Sequence, residues 1–143
     1  MEIKESVGYL ISNTGRKLNH KLQQLFQDYD VTPEQWSLLA CLHEHDGITH
    51  KDLAIRIEKD PANITRLVDQ LERKSLVSRV ANPSDRRSQL LYITESGRAS
   101  VIALAPIEAS FVEQLISNLT EEEITAFKRT LLKINQNSER HHS

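Results

Sequence analysis

Three helix starts divide the first half of this 143-residue chain. Thr32 and Pro33, with Gln35 three positions after Thr32, form a capping box with proline at the first helical position. Asp60 followed by proline marks another start, and Thr49 marks one between them. These signals predict three successive helices, at about 33–44, from about 50 to 57, and from 61 to about 74.

The apolar residues show how these helices pack. The first is apolar nearly all round, with Leu38, Leu39 and Leu42 among its residues, so we expect it to be central and buried. Gly47 after it suits a left-handed helix end. The third helix has one apolar face at helical spacing, formed by Ile64, Leu67, Val68 and Leu71. Two short helices therefore follow a buried one, joined by a tight turn.

A change of pattern after residue 75 predicts a β-hairpin. Residues 76–80 and 90–93 are apolar or β-branched runs of strand length. Residues 82–88 between them are polar and contain a proline, which is typical of a turn. This hairpin is the only β structure that we predict. A helix-turn-helix followed by a hairpin is the winged-helix arrangement, in a chain that is otherwise mainly α.

Long amphipathic helices are predicted at both ends, over residues 5–29, 95–117 and from about 120. Pro106 should kink or break the second of them, and residues 138–143 should fray. The end helices either fold back on themselves or pack against a second copy of the chain. We favour the second copy, because a 25-residue helix spans about 37 Å, longer than a compact monomer of this size would bury.

Composition limits the classes of function. Hydrophobic residues make up 38% and charged residues 27%, which is typical of a soluble globular protein. No apolar run approaches the roughly 20 residues of a membrane span, and no secretory signal is visible. A single cysteine agrees with a reducing cytoplasm, where we expect the protein to act. Its isolated glycines form no phosphate-binding loop, and His43 and His45 lack the spacing of paired metal ligands. We therefore expect no catalysis, cofactor or metal.

The polar face of the third helix is suited to duplex DNA. In a helix-turn-helix, residues near the start of the second helix of the pair reach base edges in the major groove. The candidates here are Ala62, Asn63, Thr65 and Arg66. Asn and Arg side chains can form paired hydrogen bonds with adenine and guanine, and a threonine methyl can contact thymine. The alternative is an ordinary solvent-exposed helix face.

The hairpin tip provides a second candidate contact with DNA. Arg86 and Arg87 lie beside Asp85 on a protruding turn, where they can enter the negative minor groove. Asp85 can hold the guanidinium two positions later in one rotamer. Residues 47–98 have ten basic and seven acidic side chains, a net charge of +3 in a chain whose total is −2. The alternative function is that of a non-catalytic interaction module that binds protein through its wing. Exposed apolar residues would then be expected at the tip, which instead has charged residues.

Several motifs resemble the MarR-type transcriptional regulators. They are Thr49-x-x-Asp52-Leu53-Ala54, Leu67-x-x-x-Leu71-Glu72-x-Lys74-x-Leu76-Val77, Asp85-x-Arg87 and Leu91-x-Ile93-Thr94-x-x-Gly97. The resemblance implies a single domain over residues 1–139, with a winged helix at 32–98 and dimerisation helices at about 5–29 and 95–138. It also implies a homodimer that represses genes by binding a pseudo-palindromic DNA operator. The family's wing arginine corresponds to Arg87.

The resemblance further implies an effector, which in this family is often a small aromatic or phenolic compound. Peroxide-sensing members have a reactive cysteine in the first helix, whereas Cys41 lies on the buried second helix and is interpreted as a core residue. Zinc-sensing members collect ligands from several helices, and the four histidines between residues 20 and 50 do not form such a set. Tyr9, Tyr29 and Trp36 could line an aromatic-ligand cleft, but their more common role is in a core.

Overall fold

A computed structural model describes residues 2–140. This part of the chain contains six α-helices, three short strands, and 3₁₀ turns at Ile3–Glu5 and Gln27–Tyr29. The helices are α1 (Val7–Leu25), α2 (Pro33–Glu44), α3 (His50–Ile57), α4 (Pro61–Arg73), α5 (Glu95–Leu115) and α6 (Glu121–Arg140). The strands are β1 (Ile48–Thr49), β2 (Val77–Ala81) and β3 (Gln89–Ile93). The predicted winged helix-turn-helix architecture is confirmed.

The predicted helix starts form the expected capping bonds. Thr32 Oγ1 accepts from the backbone N–H of Gln35 at 3.1 Å, and Gln35 Oε1 accepts from that of Thr32 at 3.2 Å. Side-chain oxygens of Thr49 and Asp60 cap α3 and α4 by accepting from the N–H three residues later, without a reciprocal bond. Each bond satisfies a helix N–H that has no partner within its helix. Local sequence therefore fixes where these three helices begin.

The sheet contains one strand that the sequence did not predict. Its order is β1-β3-β2, and both neighbours run antiparallel to β3. Strand β1 has only two residues, with Ile48 opposite Leu91, so it has no alternation that could be recognised. Gly47 just before it has the predicted positive φ, at +73°, but it does not cap α2, whose C-cap is His45. The N–H of Gly47 donates instead to Leu91 O at 2.9 Å. The strand depends on this distant partner.

A single apolar core joins α2, α3, α4, the sheet and the start of α5. The predicted inward faces of α2 and α4 are confirmed, since Leu38, Leu39 and Leu42 and the four apolar residues of α4 are at most 1% exposed. Phe26, Leu53, Leu91 and Leu104 are fully buried in the same cluster. Gly97 allows the first turn of α5 to approach the backbone of Leu76 closely, because a Cβ at this position would lie 2.3 Å from Leu76 O. The core therefore fixes α4 and both strands of the hairpin on one framework.

The long helices differ from the predictions at particular places. The first helix is shorter than 5–29, because α1 is flanked by the two 3₁₀ turns. Helix α5 continues through Pro106, so the helix does not break there, and the alternative of a kink stays a prediction. Pro106 leaves the carbonyl of Ile102 without its helical partner, but both residues are exposed and water can bond there. Residues 138–140 are helical and not frayed, and residues 141–143 lie outside the described residues.

The described residues divide after Glu108 into two compact units. The first contains the core. In the second, residues 109–140, Phe111 alone is buried, while several large apolar side chains are exposed, namely Val112, Leu115, Ile116, Leu119, Phe127 and Leu132. Helix α1 of the first unit also exposes Val7, Leu10 and Ile11. No helix within residues 2–140 is long and apolar enough to cross a membrane. The prediction of a single domain over residues 1–139 stays a prediction.

Candidate nucleic-acid interface

Helix α4 is held on α2 by a buried glutamine. Gln35 is 4% exposed, and its Nε2 donates to Oε1 of Gln70 at 2.9 Å. Its Oε1 also accepts from Nζ of Lys74 at 2.9 Å, beyond the capping bond to Thr32. A buried polar side chain with its hydrogen bonds satisfied adds directional contacts to an apolar interface. Gln35 therefore holds the C-terminal end of α4, at Gln70 and at Lys74 just after the helix, against the start of α2.

The polar face of α4 points away from the core, as predicted. Ala62, Thr65 and Arg66 are exposed, and Asn63 is half-buried. Asn63 Oδ1 accepts a hydrogen bond from Nη2 of Arg66, which also lies 3.8 Å from Oε2 of Glu34. Thr65 Oγ1 donates to the carbonyl of the first residue of α4 at 3.0 Å. The two side chains best suited to read bases are thus bonded to each other in the free protein.

The wing tip, residues 82–88, is ordered by its own side chains. Asp85 Oδ1 accepts from the backbone N–H of Arg87 at 2.9 Å. Asn82 Nδ2 donates to Ser88 Oγ at 2.9 Å across the base of the tip. Asp85 therefore fixes the backbone of Arg87. The sequence predicted instead that Asp85 would hold the guanidinium of Arg87. Arg86 and Arg87 are both exposed, at the outer end of a turn with a defined shape.

A cleft of about 720 Å³ brings part of the predicted site together. Its lining includes Thr65 of α4 and all three predicted wing residues, Asp85, Arg86 and Arg87. Arg66 lines a different cavity of about 450 Å³, together with Arg73 and Lys74. Ala62 and Asn63 line neither. The structure therefore joins one predicted α4 residue to the wing, while the remaining three lie elsewhere on α4.

Other residues of the cleft were missed in the sequence. Thr49, His50 and Lys51, at the start of α3, line it together with Arg79 of β2. A basic residue in the first turn of α3 is a weak signal, because exposed lysines are common. Alternate residues of a strand lie on the same face, so Arg79 lies on the face of β2 that also contains the buried Val77. This alternation was the sequence signal that Arg79 points toward the protein. Neither pattern alone shows that these side chains meet the wing tip.

Two titratable groups of the first unit have shifted pKa values. Burial lowers the pKa of His50 below its usual 6.5, and the positive charge of Arg79 lowers it further, against an opposing effect of Asp69. Burial raises the pKa of the Cys41 thiol, with smaller effects from Arg56 and Glu44. Cys41 is half-buried and packs against the core, which places it at the core's edge rather than its centre. No group of three metal-ligating side chains occurs within the described residues.

Comparisons of sequence identify similar proteins. The model of the MarR family matches residues 31–89, from two residues before α2 to the first residue of β3. The HTH-type transcriptional regulator MhqR of Bacillus subtilis is 27% identical over 94% of this chain and 92% of its own length. The HTH-type transcriptional repressor MdtR of the same species is 29% identical over 87% of this chain and 80% of its own length.

Comparison of structures gives the same result. The crystal structure of the S. aureus MepR–DNA complex superposes with a TM-score of 0.85 and 29% sequence identity. The match covers 95% of this chain and 99% of that chain. The likeness therefore includes the terminal helices as well as the segment that the family model matches, and it is a likeness to a protein seen on DNA.

Proposed function

Because this chain belongs to the MarR family of transcriptional regulators, we propose that it is a repressor that binds a pseudo-palindromic operator as a homodimer in the cytoplasm. The observation that carries the proposal is the cleft that Thr65 of α4 lines together with Arg86 and Arg87 of the wing tip. Helix and wing reach different grooves of one duplex in such an arrangement. The repressor MdtR and the DNA complex of MepR are the relatives that support it.

The contacts divide into base reading and backbone binding. The polar face of α4 enters the major groove, where Asn63, Thr65 and Arg66 meet base edges and Ala62 allows close approach. Arg87 enters the minor groove, Arg86 binds there or at a phosphate, and Asp85 holds the turn that presents them. On binding, Arg66 must exchange its bonds to Asn63 and Glu34 for contacts with DNA. Operator affinity therefore includes the cost of releasing this arginine.

The exposed apolar residues of the terminal helices support a homodimer. Large apolar side chains are exposed on α1 and again within residues 109–140, and exposed surface of this kind marks protein contacts. A twofold dimer presents two winged helices, so its half-sites should lie about one helical turn apart on one face of the duplex. A footprint with a single unrepeated half-site would contradict this assembly.

A small aromatic or phenolic effector would relieve repression. It must bind the DNA-incompetent state more tightly than the DNA-binding state, since equal affinity for both states shifts nothing. The measurement is operator affinity in the presence of a panel of phenolic compounds and antibiotics. If no compound in the panel weakens operator binding, constitutive repression is the better description.

The test of the proposed function is selection of genomic fragments by the purified protein at two salt concentrations, with sequencing of the bound DNA. We expect enrichment of an inverted repeat, and an affinity that falls steeply as salt rises, because phosphate contacts release counterions. A folded dimer that enriches no sequence even at low salt would overturn the proposal. A protein partner would then be the subject to pursue.

Replacing Arg87 tests the wing directly. Arg87→Ala should weaken operator binding by about 1–3 kcal/mol, the range for a well-placed contact in a groove. Fluorescence anisotropy with the selected operator measures the change. Arg56→Ala is the matched control, since Arg56 is an exposed arginine outside the cleft and should leave affinity unchanged. Equal affinity of folded Arg87→Ala and wild-type dimers would remove the wing from the mechanism.

A further inference from the structure

Arg79 joins the wing, residues 77–93, to α4 through two carboxylates. Its Nη2 donates to Oδ1 of Asp69, and its Nε lies 3.4 Å from Oε2 of Glu72. Asp69 and Glu72 are three residues apart on α4, so both side chains emerge on the same side of the helix. The Arg79 side chain is only 22% exposed, whereas the Asp69 and Glu72 side chains are 49% and 47% exposed. We refer to these three residues as the clamp.

The clamp extends the attachment of the wing beyond the apolar core. Val77 at the base of β2 is buried, and Arg79 lies on the same face two residues closer to the tip. Within residues 2–140, the ion pairs between the wing and α4 all involve Arg79. Arg79 also lines the cleft, together with Thr65, Arg86 and Arg87. The clamp is therefore placed where it sets the spacing between the two DNA-contacting elements.

We infer that Arg79 is a positioning residue for operator recognition: it holds the wing at the angle at which Arg87 and the polar face of α4 engage one duplex. This inference rests on the proposed DNA-binding function. The planar guanidinium is suited to the role because it can lie against two carboxylates at once, here with a hydrogen bond from Nη2 to Asp69 and an ion pair to Glu72 without a hydrogen bond from Nε. A lysine ammonium acts as a point charge. The base-reading residues stay as proposed, and Arg79 acts through Arg87.

A purely electrostatic role makes the opposite prediction. The clamp has two carboxylates and one guanidinium, so it adds one net negative charge beside a cleft that meets phosphates. If Arg79 only neutralised the carboxylates, removing both of them would strengthen binding to a polyanion. If the clamp positions the wing, the same change weakens operator binding although the protein has become more positive.

The test uses the double variant Asp69→Ala/Glu72→Ala, with and without Arg87→Ala, on the operator selected by the wild-type protein. We expect the double variant to bind the operator at least about tenfold more weakly, and to bind an unrelated duplex no more weakly than wild type. Arg87→Ala should cost about 10–100-fold in the wild-type background and less than about threefold in the double variant, because residues that act as a unit are not additive. Alanine favours helix, so α4 should stay folded, which circular dichroism checks.

Arg79→Lys is the second variant, because it keeps the positive charge and loses the planar guanidinium with its several N–H donors. We expect it to weaken operator binding and to reduce the effect of Arg87→Ala in the same way. Tighter operator binding by the double variant would overturn the inference, as would an Arg87→Ala effect of equal size in both backgrounds. A wild-type protein that selects no operator would overturn the proposed function itself, so the two failures are distinguishable.

Discussion

The two units of the chain use their apolar residues in opposite ways. In residues 2–108, the winged helix encloses a core in which many side chains are fully buried. In residues 109–140, large apolar side chains such as Phe127, at 61% exposed, and Leu132, at 63%, lie on the surface. Burial of such side chains is the main favourable term in folding and in association. The first unit thus buries most of its large apolar side chains within one chain, with α1 as an exception, while the second unit leaves most of its own exposed.

The largest effect should come from removing a core leucine. Leu39→Ala should lower the free energy of unfolding by about 3–5 kcal/mol, because the fully buried side chain leaves a cavity. Urea denaturation measures it. Leu132→Ala deletes the same atoms from an exposed site and should cost under about 0.5 kcal/mol in the folding of a single chain. An equal loss for both variants, unchanged by protein concentration, would show that the second unit also has a filled core.

Substitutions of exposed apolar residues in the second unit should weaken dimer formation rather than the folding of the single chain. We expect Phe127→Ser to raise the dissociation constant of the dimer by at least about tenfold, which is about 1.4 kcal/mol, because buried aromatic residues dominate interfaces. Sedimentation measures the dimer, and Lys128→Ala, a change at the next position of α6, is the control. An unchanged dissociation constant for Phe127→Ser would mean that this exposed residue lies outside the dimer interface.

The two units also contain matched capping boxes. Thr32 caps α2 and Thr120 caps α6, each bonded to a side chain three residues later. Thr32→Ala should cost about 1–2 kcal/mol and Thr120→Ala about 0.5–1 kcal/mol, because the partner of Thr32, the buried Gln35, also anchors α4. Thermal denaturation measures both losses. A larger loss for Thr120→Ala would show that the second unit limits the stability of the whole chain.

The elements that the sequence predicted well depend on neighbours in the chain. A threonine cap needs only the N–H three residues away, so the starts of α2 and α3 were evident from local sequence. The apolar period of α4 and the polar turn of the wing tip are equally local. Asn63, Thr65, Arg66 and the wing arginines were chosen as candidates from their helix and hairpin positions, and their contacts with DNA stay a prediction. All of them are exposed in the structure except Asn63, which is half-buried.

What the sequence did not predict depends on partners far along the chain. Strand β1 exists because Ile48 and Thr49 meet β3, and two residues carry no recognisable period. The clamp pairs Arg79 with Asp69 and Glu72, and charged residues at such spacings are common on unrelated surfaces. His50 and Lys51 were missed for the same reason, since only the packing of α3 places them beside the wing tip. The cleft is thus a tertiary property.

The smallest expected effect is a pH dependence within the first unit. The pKa of His50 is lowered in the folded state by burial and then by Arg79, so below pH 6.5 the unfolded chain binds more protons at this site than the folded one. Stability should therefore fall as pH drops from 6.5 through the lowered pKa, and be unaffected by His50 above that window. Unfolding free energies measured from pH 5 to 8 should show this slope in the wild type and a shallower one in His50→Gln.

Arg79→Gln removes the repelling charge and should raise the pKa of His50, which NMR titration of the imidazole measures. An imidazole that titrates at the same pH in Arg79→Gln and in the wild type would mean that burial alone lowers this pKa.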